Sequence, residues 1–155
     1  HAHLQGNGFT VRRVAGLGQT LISGNVEAGS ALLLPGAATL GLWAEQHGEG
    51  TLVRIARDRA LLVSPQPLDG PFGWSDAGFV ASPSDDAYAV LDIDGPRLRD
   101  VIAQATAADL DAGSPSAAIL FAGVPALLYR TAHDVARLHV EAPLAAYVWT
   151  WLEGA

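Results

Sequence analysis

The sequence predicts an α+β domain with helices packed on a mostly antiparallel sheet. Three observations lead there. Short apolar segments of strand length outnumber segments with helical spacing. A strand, helix, hairpin order occurs twice, once on each side of a stretch rich in Pro, Gly, Ser and Asp from Pro65 to Asp86. Segments joined by connections too short for a parallel crossover must pair antiparallel. A chain of 155 residues that is 50% hydrophobic suffices for one well-buried domain. The expected organisation is a single domain, 1–155, with halves 9–64 and 87–153 joined by a loop at 65–86.

Thr20 to Gly24 (TLISG) is short and apolar enough for a strand. Glu27 to Trp43 carries Ala and Leu at helical spacing around Pro35-Gly36, so the expectation is a helix broken at that pair. Thr51 to Ile55 and Ala60 to Val63 flank the tetrad Ala56-Arg57-Asp58-Arg59, a hairpin turn. Residues 65–86 offer no periodic segment and read as a functional loop or a seam. Ala87 to Ile93 alternates as a strand. Asp94-Gly95-Pro96 suits the start of a helix, with Pro in the first turn. Leu98, Val101, Ile102 and Ala105 fall at i, i+3, i+4 and i+7, one buried stripe, and the helix is expected to stop near Asp111-Ala112-Gly113. Ala117 to Ala122, Ala126 to Tyr129 and Val135 to Val140 read as strands joined by Gly123-Val124-Pro125 and by Thr131 to Asp134, and a closing helix follows Pro143. The fold is thus an approximate duplication of a strand-helix-hairpin unit.

Composition excludes several functions. Net charge is −7 and all nine basic residues are Arg, which leaves no basic stripe for a nucleic-acid backbone. Cys is absent, removing disulfides, thiolate catalysis and Cys-bound metals. The most apolar run, Ala31 to Trp43, is interrupted by Pro35, Gly36 and Gly41 and falls short of the ~20 residues that span a bilayer. The expected setting is cytoplasmic, without membrane or nucleic-acid partners. The opening His1-Ala2-His3 lacks an initiating Met and reads as a trimmed or processed end, without the order of a signal peptide.

The last thirty residues carry the most information. LHVEAPLAAYVWTWL, Leu138 to Leu152, resembles the C-terminal strand and helix of the gamma subunit of heterotetrameric sarcosine oxidase. RIARDRALLVSP and IDGPRLRDVIAQATAADL resemble a strand pair and a helix of the same family, so the likeness runs from about Val14 onward. Gamma subunits are similar in fold to the folate-binding domains of the glycine-cleavage aminomethyltransferase. The resemblance implies an accessory subunit with no active site of its own. Its complex would demethylate sarcosine to glycine, pass the one-carbon unit to tetrahydrofolate and release hydrogen peroxide. FAD, FMN, NAD and tetrahydrofolate would sit in the larger partner subunits, and self-association is an option for the isolated chain. One departure bears on chemistry. Where the aminomethyltransferase carries adjacent acidic residues, this chain has Gly123-Val124-Pro125-Ala126-Leu127, with no carboxylate to orient a pterin or stabilise an iminium. A stand-alone folate-binding or one-carbon-transfer module is the alternative.

Candidate chemistry from residue pairs is sparse. Asp92-x-Asp94 could hold Mg²⁺, but Asp94 reads as a helix cap and Asp92 as solvent-facing. His133-Asp134 sits in a turn without a nucleophile elbow. His139 alternates with Arg137 and Glu141 and reads as a surface ladder. His1 and His3 could chelate a metal, yet termini fray. Gly16-Leu17-Gly18 lacks dinucleotide spacing. No catalytic or metal residue is therefore assigned.

The final helix yields the partner-contact expectation. At ~100° per residue, Leu144, Tyr147, Val148, Trp151 and Leu152 share one face, taken as core, and Trp149 lies away from it. Trp149 is then either exposed to a partner or packed beneath 65–86, which brings Phe72, Trp74 and Phe79. The expected partner-contact residues are Trp149, Trp74 and Phe72, aromatics of the kind enriched at interface hot spots.

Overall fold

The computed structural model describes residues 3–155, so the reading of His1 lies outside the described residues. The chain opens with β1 (His3–Gln5) and β2 (Thr10–Val14). The first unit is β3 (Gly18–Gly24), α1 (Val26–Leu33), β4 (Ala38–Leu40), β5 (Thr51–Ala56) and β6 (Arg59–Ser64), followed by β7 (Gly73–Ser75) and β8 (Phe79–Pro83). The second is β9 (Tyr88–Asp94), α2 (Leu98–Ala105), β10 (Ala118–Phe121), β11 (Val124–Ala132), β12 (Val135–Glu141) and α3 (Ala145–Glu153). Among the described residues the strands form two six-stranded sheets, ordered β1-β2-β9-β12-β11-β10 and β4-β5-β6-β3-β8-β7. The two orders match unit for unit: the strand before the helix pairs with the last strand after it, Ile22 opposite Ala60 and Leu91 opposite Leu138. Pairing is antiparallel throughout these sheets except between β4 and β5.

Alternation explains the layers. On β6, Ala60 and Leu62 pack with Ile22, Val26, Leu33 and Phe79 beneath α1, whereas Leu61 and Val63 join Leu127 and Tyr129 between the sheets. On β12, Ala136, Leu138 and Val140 pack with Ile102, Val148 and Leu152 beneath α2 and α3. The order through the molecule is helix, sheet, sheet, helix. Gly29 brings α1 against β3, since a Cβ there would lie 2.8 Å from Ile22 Cγ2. Asn25 caps α1 by accepting the Ala28 amide at 3.1 Å.

The α+β class, with helices packed on mostly antiparallel sheet, is as expected. Several expectations are corrected. The strands divide into two stacked sheets because both faces of the central strands are buried and periodicity does not say what covers each. The helix over 27–43 ends at Leu33; beyond the break at Pro35-Gly36, residues 38–40 pair with β5 instead. The loop at 65–86 contains a hairpin, β7–β8, which extends the sheet alongside β3. Its strands are too short and Pro/Gly-rich to be visible by pattern, and pairing with β3 stabilises them. Strand β2, from the first half of the sequence, pairs with β9 of the second through Val11–Ile93 and Arg12–Asp92. Helix α2 stops at Ala105, where Thr106 turns extended. The β10–β11 turn is Ala122-Gly123, both at positive φ (51° and 86°) as a two-residue type I′ hairpin requires, and Pro125 belongs to the strand.

Candidate functional site

The layer between the sheets holds the polar groups that sequence placed on the surface. His139 is fully buried, which corrects the surface-ladder reading. The face of β12 that carries Arg137, His139 and Glu141 turns toward the second sheet. Gln19 on β3 donates through Nε2 to the carbonyl oxygens of Asp85 and Tyr88, both at 3.0 Å. That orientation leaves Gln19 Oε1 facing His139 Nδ1 at 2.6 Å, so Nδ1 carries the proton. His139 Nε2 then accepts from the Tyr129 hydroxyl at 2.8 Å. Both ring nitrogens are satisfied by a neutral imidazole.

Burial, and secondarily the charge of Arg137, push the His139 pKa down to about 3, while burial raises that of Tyr129. A folded pKa below the unfolded value of 6.5 means that the unfolded chain takes up a proton the folded one refuses. Stability from neutral His139 is therefore complete above the unfolded value and lost as pH falls toward about 3. The expected loss is of order 4 kcal/mol across that window. Urea midpoints measured against pH should show that slope in the native chain and a shallower one in His139→Gln; parallel profiles would contradict it.

Asp92 is also buried, at 5% exposure, which corrects its placement on a solvent face. Arg137 donates to it in a two-pronged pair, Nε to Oδ1 at 2.8 Å and a terminal nitrogen to Oδ2 at 2.9 Å. Arg12 from β2 reaches Oδ2 at 3.2 Å. Asp94 is not a helix cap: it accepts from the Thr10 hydroxyl at 2.5 Å, and no side chain caps α2. The pair is a structural clamp across β2, β9 and β12. His133 and Asp134 lie exposed in the turn as expected, and no group of three or more His, Asp or Glu able to hold a metal occurs among the described residues.

A cleft of about 150 Å³ opens at one end of this layer, lined by Arg59, Tyr88, Pro125, Leu127, His139 and Glu141 among others. It lies below the ~300–1,000 Å³ usual for small-molecule sites. Pro125 and Leu127 bring no ionisable group to it. Glu141 does, from the neighbouring strand. Alternation had already placed this carboxylate on one strand face with Arg137 and His139, but that face was read as a surface ladder, whereas it lines the cleft.

The expected partner-contact residues separate. Trp149 lies in the core beneath α3, 8% exposed, with Ala145, Val148 and Leu152. Tyr147, assigned to the core face, is 53% exposed, and Trp151 is half-buried with its ring edge-on to Phe121 at 5.6 Å. The apolar arc of α3 is wider than one contact face, and the sheet takes the flank that carries Ala145 and Trp149 instead of Tyr147 and Trp151, with Val148 and Leu152 buried on either reading. Nor does Trp149 pack with Phe79, which belongs to the core beneath α1. Trp74 and Phe72 do reach solvent, at 70% and 39%. Trp74 stands opposite Val80, itself 39% exposed, at the open edge of the second sheet.

The fold has a counterpart among solved structures. A chain of heterotetrameric sarcosine oxidase from Corynebacterium sp. U-96, solved in complex with pyrrole 2-carboxylate, superposes with a TM-score of 0.76 over 99% of this chain and 86% of its own, at 20% identity. The fold is that of a sarcosine oxidase chain. At that identity the sarcosine oxidase likeness speaks for fold. In sequence, the chain is 42% identical over 89 residues to an aminomethyltransferase of Streptomyces coelicolor (strain ATCC BAA-471 / A3(2) / M145), a match covering 51% of this chain. The chain spans 23% of that relative's length in the match. No protein-family model matches. Among the described residues no helix is long and apolar enough to cross a membrane.

Proposed function

We propose that this chain is a gamma-type accessory subunit of a sarcosine oxidase-like complex acting in sarcosine and one-carbon metabolism in the cytoplasm. The observation that carries this reading is the fold likeness over nearly its whole length to a chain of a heterotetrameric oxidase. The interior supports it: the buried histidine is held neutral by partners on both nitrogens, and the adjoining cleft is small. In this reading the chain performs no reaction, and FAD, FMN, NAD and tetrahydrofolate are bound by larger subunits. Trp74 and Phe72 serve the contact with those subunits; Trp149, being buried, is withdrawn from it.

Co-expression with the larger sarcosine oxidase-type subunits from the same source is expected to give a complex that co-purifies. Trp74→Ala should weaken that assembly by about 2 kcal/mol or more, the cost of a hot-spot aromatic, while leaving the isolated chain folded. A monodisperse chain with no affinity for those subunits would overturn the reading. The aminomethyltransferase likeness favours a second reading, a stand-alone folate-binding or one-carbon-transfer module, with Glu141 as the carboxylate in the cleft. Calorimetry with a reduced folate decides it: no heat at millimolar ligand removes this alternative.

A further inference from the structure

On the far side of the first sheet from the His139 cleft, Trp43 combines an uncommon backbone conformation with a buried, unpartnered donor among the described residues. Its backbone is left-handed, φ 62°, a region bulky side chains rarely occupy and one that clusters at ligand clamps. The strained residue is held by the Trp43 amide on the Leu128 carbonyl at 3.2 Å and by Arg130 Nε on the Trp43 carbonyl at 2.9 Å. Trp43 is 4% exposed, and its indole N–H has no acceptor among the described residues. An indole nitrogen only donates, so what it lacks is an oxygen acceptor.

Two guanidinium groups lie over the same ring, Arg130 at 5.0 Å and Arg99 at 5.7 Å from its centroid. A groove of about 480 Å³ runs between Trp43, Arg99, Arg130, His133 and the Gly95-Pro96 start of α2. That helix end has no side-chain cap, its Arg97 and Leu98 amides donating to the Gly8 and Gly95 carbonyls, and its dipole adds to the positive field of the groove. Nearby carboxylates are few and exposed. Asp111 pairs with Arg99 at 2.9 Å, Asp134 lines the groove, and Asp100 in the first turn of α2 pairs with Arg97 at 3.7 Å. Arg99, with a further pull from Arg130, holds the Asp111 carboxyl below its ordinary range. Among the described residues no carboxylate stands within ion-pair distance of Arg130, whose side chain is occupied by the carbonyls of Trp43 and His133.

We propose that this groove binds a small oxyanion, the carboxylate or phosphate group of a metabolite, between Arg130, Arg99 and the uncapped start of α2, with Trp43 as its wall. The arriving anion takes the place of Asp111 on Arg99 and adds the charge partner Arg130 lacks, and the Trp43 indole beside both arginines reports its arrival. This site is separate from the complex proposed above, and neither reading rests on the other.

Proton–nitrogen NMR of the full chain tests it, following the Trp43 indole N–H resonance, assigned through Trp43→Phe, during titration with inorganic phosphate or with acetate. A saturable shift confined to the Trp43 indole, and not seen at Trp74, Trp149 or Trp151, is expected in the millimolar range, and the stronger of the two salts identifies the group. Arg130→Gln should weaken binding about tenfold or more, as loss of a charge-assisted contact does. Arg99→Gln, altering an exposed side chain, serves where Arg130→Gln fails to fold and should weaken binding severalfold. No saturable shift with either salt, or unchanged affinity in the folded variants, would overturn the proposal.

Discussion

Asp92→Asn is expected to destabilise the chain by about 3–5 kcal/mol, the cost of removing one partner of a buried ion pair. The Asp92 side chain is 6% exposed and that of Arg137 13%. Neutralising the carboxylate leaves a guanidinium between the sheets with its charge uncompensated and two donors poorly matched. The hydroxyl of Tyr129 also interacts with Arg137, so the disturbance reaches the His139 network. For a domain of this size the melting temperature should fall by roughly 10 °C. Arg12→Ala is the control. Arg12 reaches the same carboxylate at 3.2 Å, but its side chain is 62% exposed, so water screens it and its loss should cost no more than about 1 kcal/mol. Calorimetric melting of both variants checks the pair; equal shifts would mean that the clamp is not concentrated in Asp92 and Arg137.

Trp149→Ala should cost about 3–5 kcal/mol of stability by opening a cavity under α3. Trp151→Ala should cost less, about 1–2 kcal/mol, because its ring is half-buried and its main contact is the edge-to-face pair with Phe121. Denaturant unfolding of the two variants gives the order directly. This ranking is the reverse of the one drawn from the helical wheel, for a geometric reason. Val148 and Leu152 are core on either assignment; Ala145 and Trp149 flank them on one side, Tyr147 and Trp151 on the other. An apolar arc that wide does not choose its own centre. The tilt of α3 on the sheet chooses it, and Tyr147 ends outside, donating its hydroxyl to the Ala122 carbonyl at 3.0 Å.

The same distinction runs through the whole chain. Where a segment had one apolar face and one polar face of clear period, its structure was legible. The stripe Leu98, Val101, Ile102, Ala105 is the buried face of α2, and Thr51 to Val63 is the β5–β6 hairpin. The recurrence of strand, helix and hairpin was legible for the same reason, and so was the likeness carried by the C-terminal strand and helix. Legibility failed where a strand or side chain owes its place to a distant partner. Residues 73–75 and 79–83 are strands because β3 offers an edge. Ala38 to Leu40 leave the helical pattern because β5 lies alongside.

The candidate sites follow suit. Trp74 and Phe72 reach solvent at the edge of a sheet that local pattern did not reveal. The groove at Trp43 joins Trp43 to Arg99 and Arg130, residues from three separate segments. His139 and Asp92 look like solvent-facing positions because a polar residue satisfied internally has the same alternation as one satisfied by water. The amino-acid sequence by itself determined the local periods, the duplicated order of elements and the absence of cysteine chemistry, since these depend on neighbours along the chain. Only the tertiary structure decided that two sheets stack with Gln19, His139, Tyr129 and the Asp92–Arg137 pair between them. Which partner covers a face is set by contacts between residues up to 120 positions apart, and no local pattern encodes those.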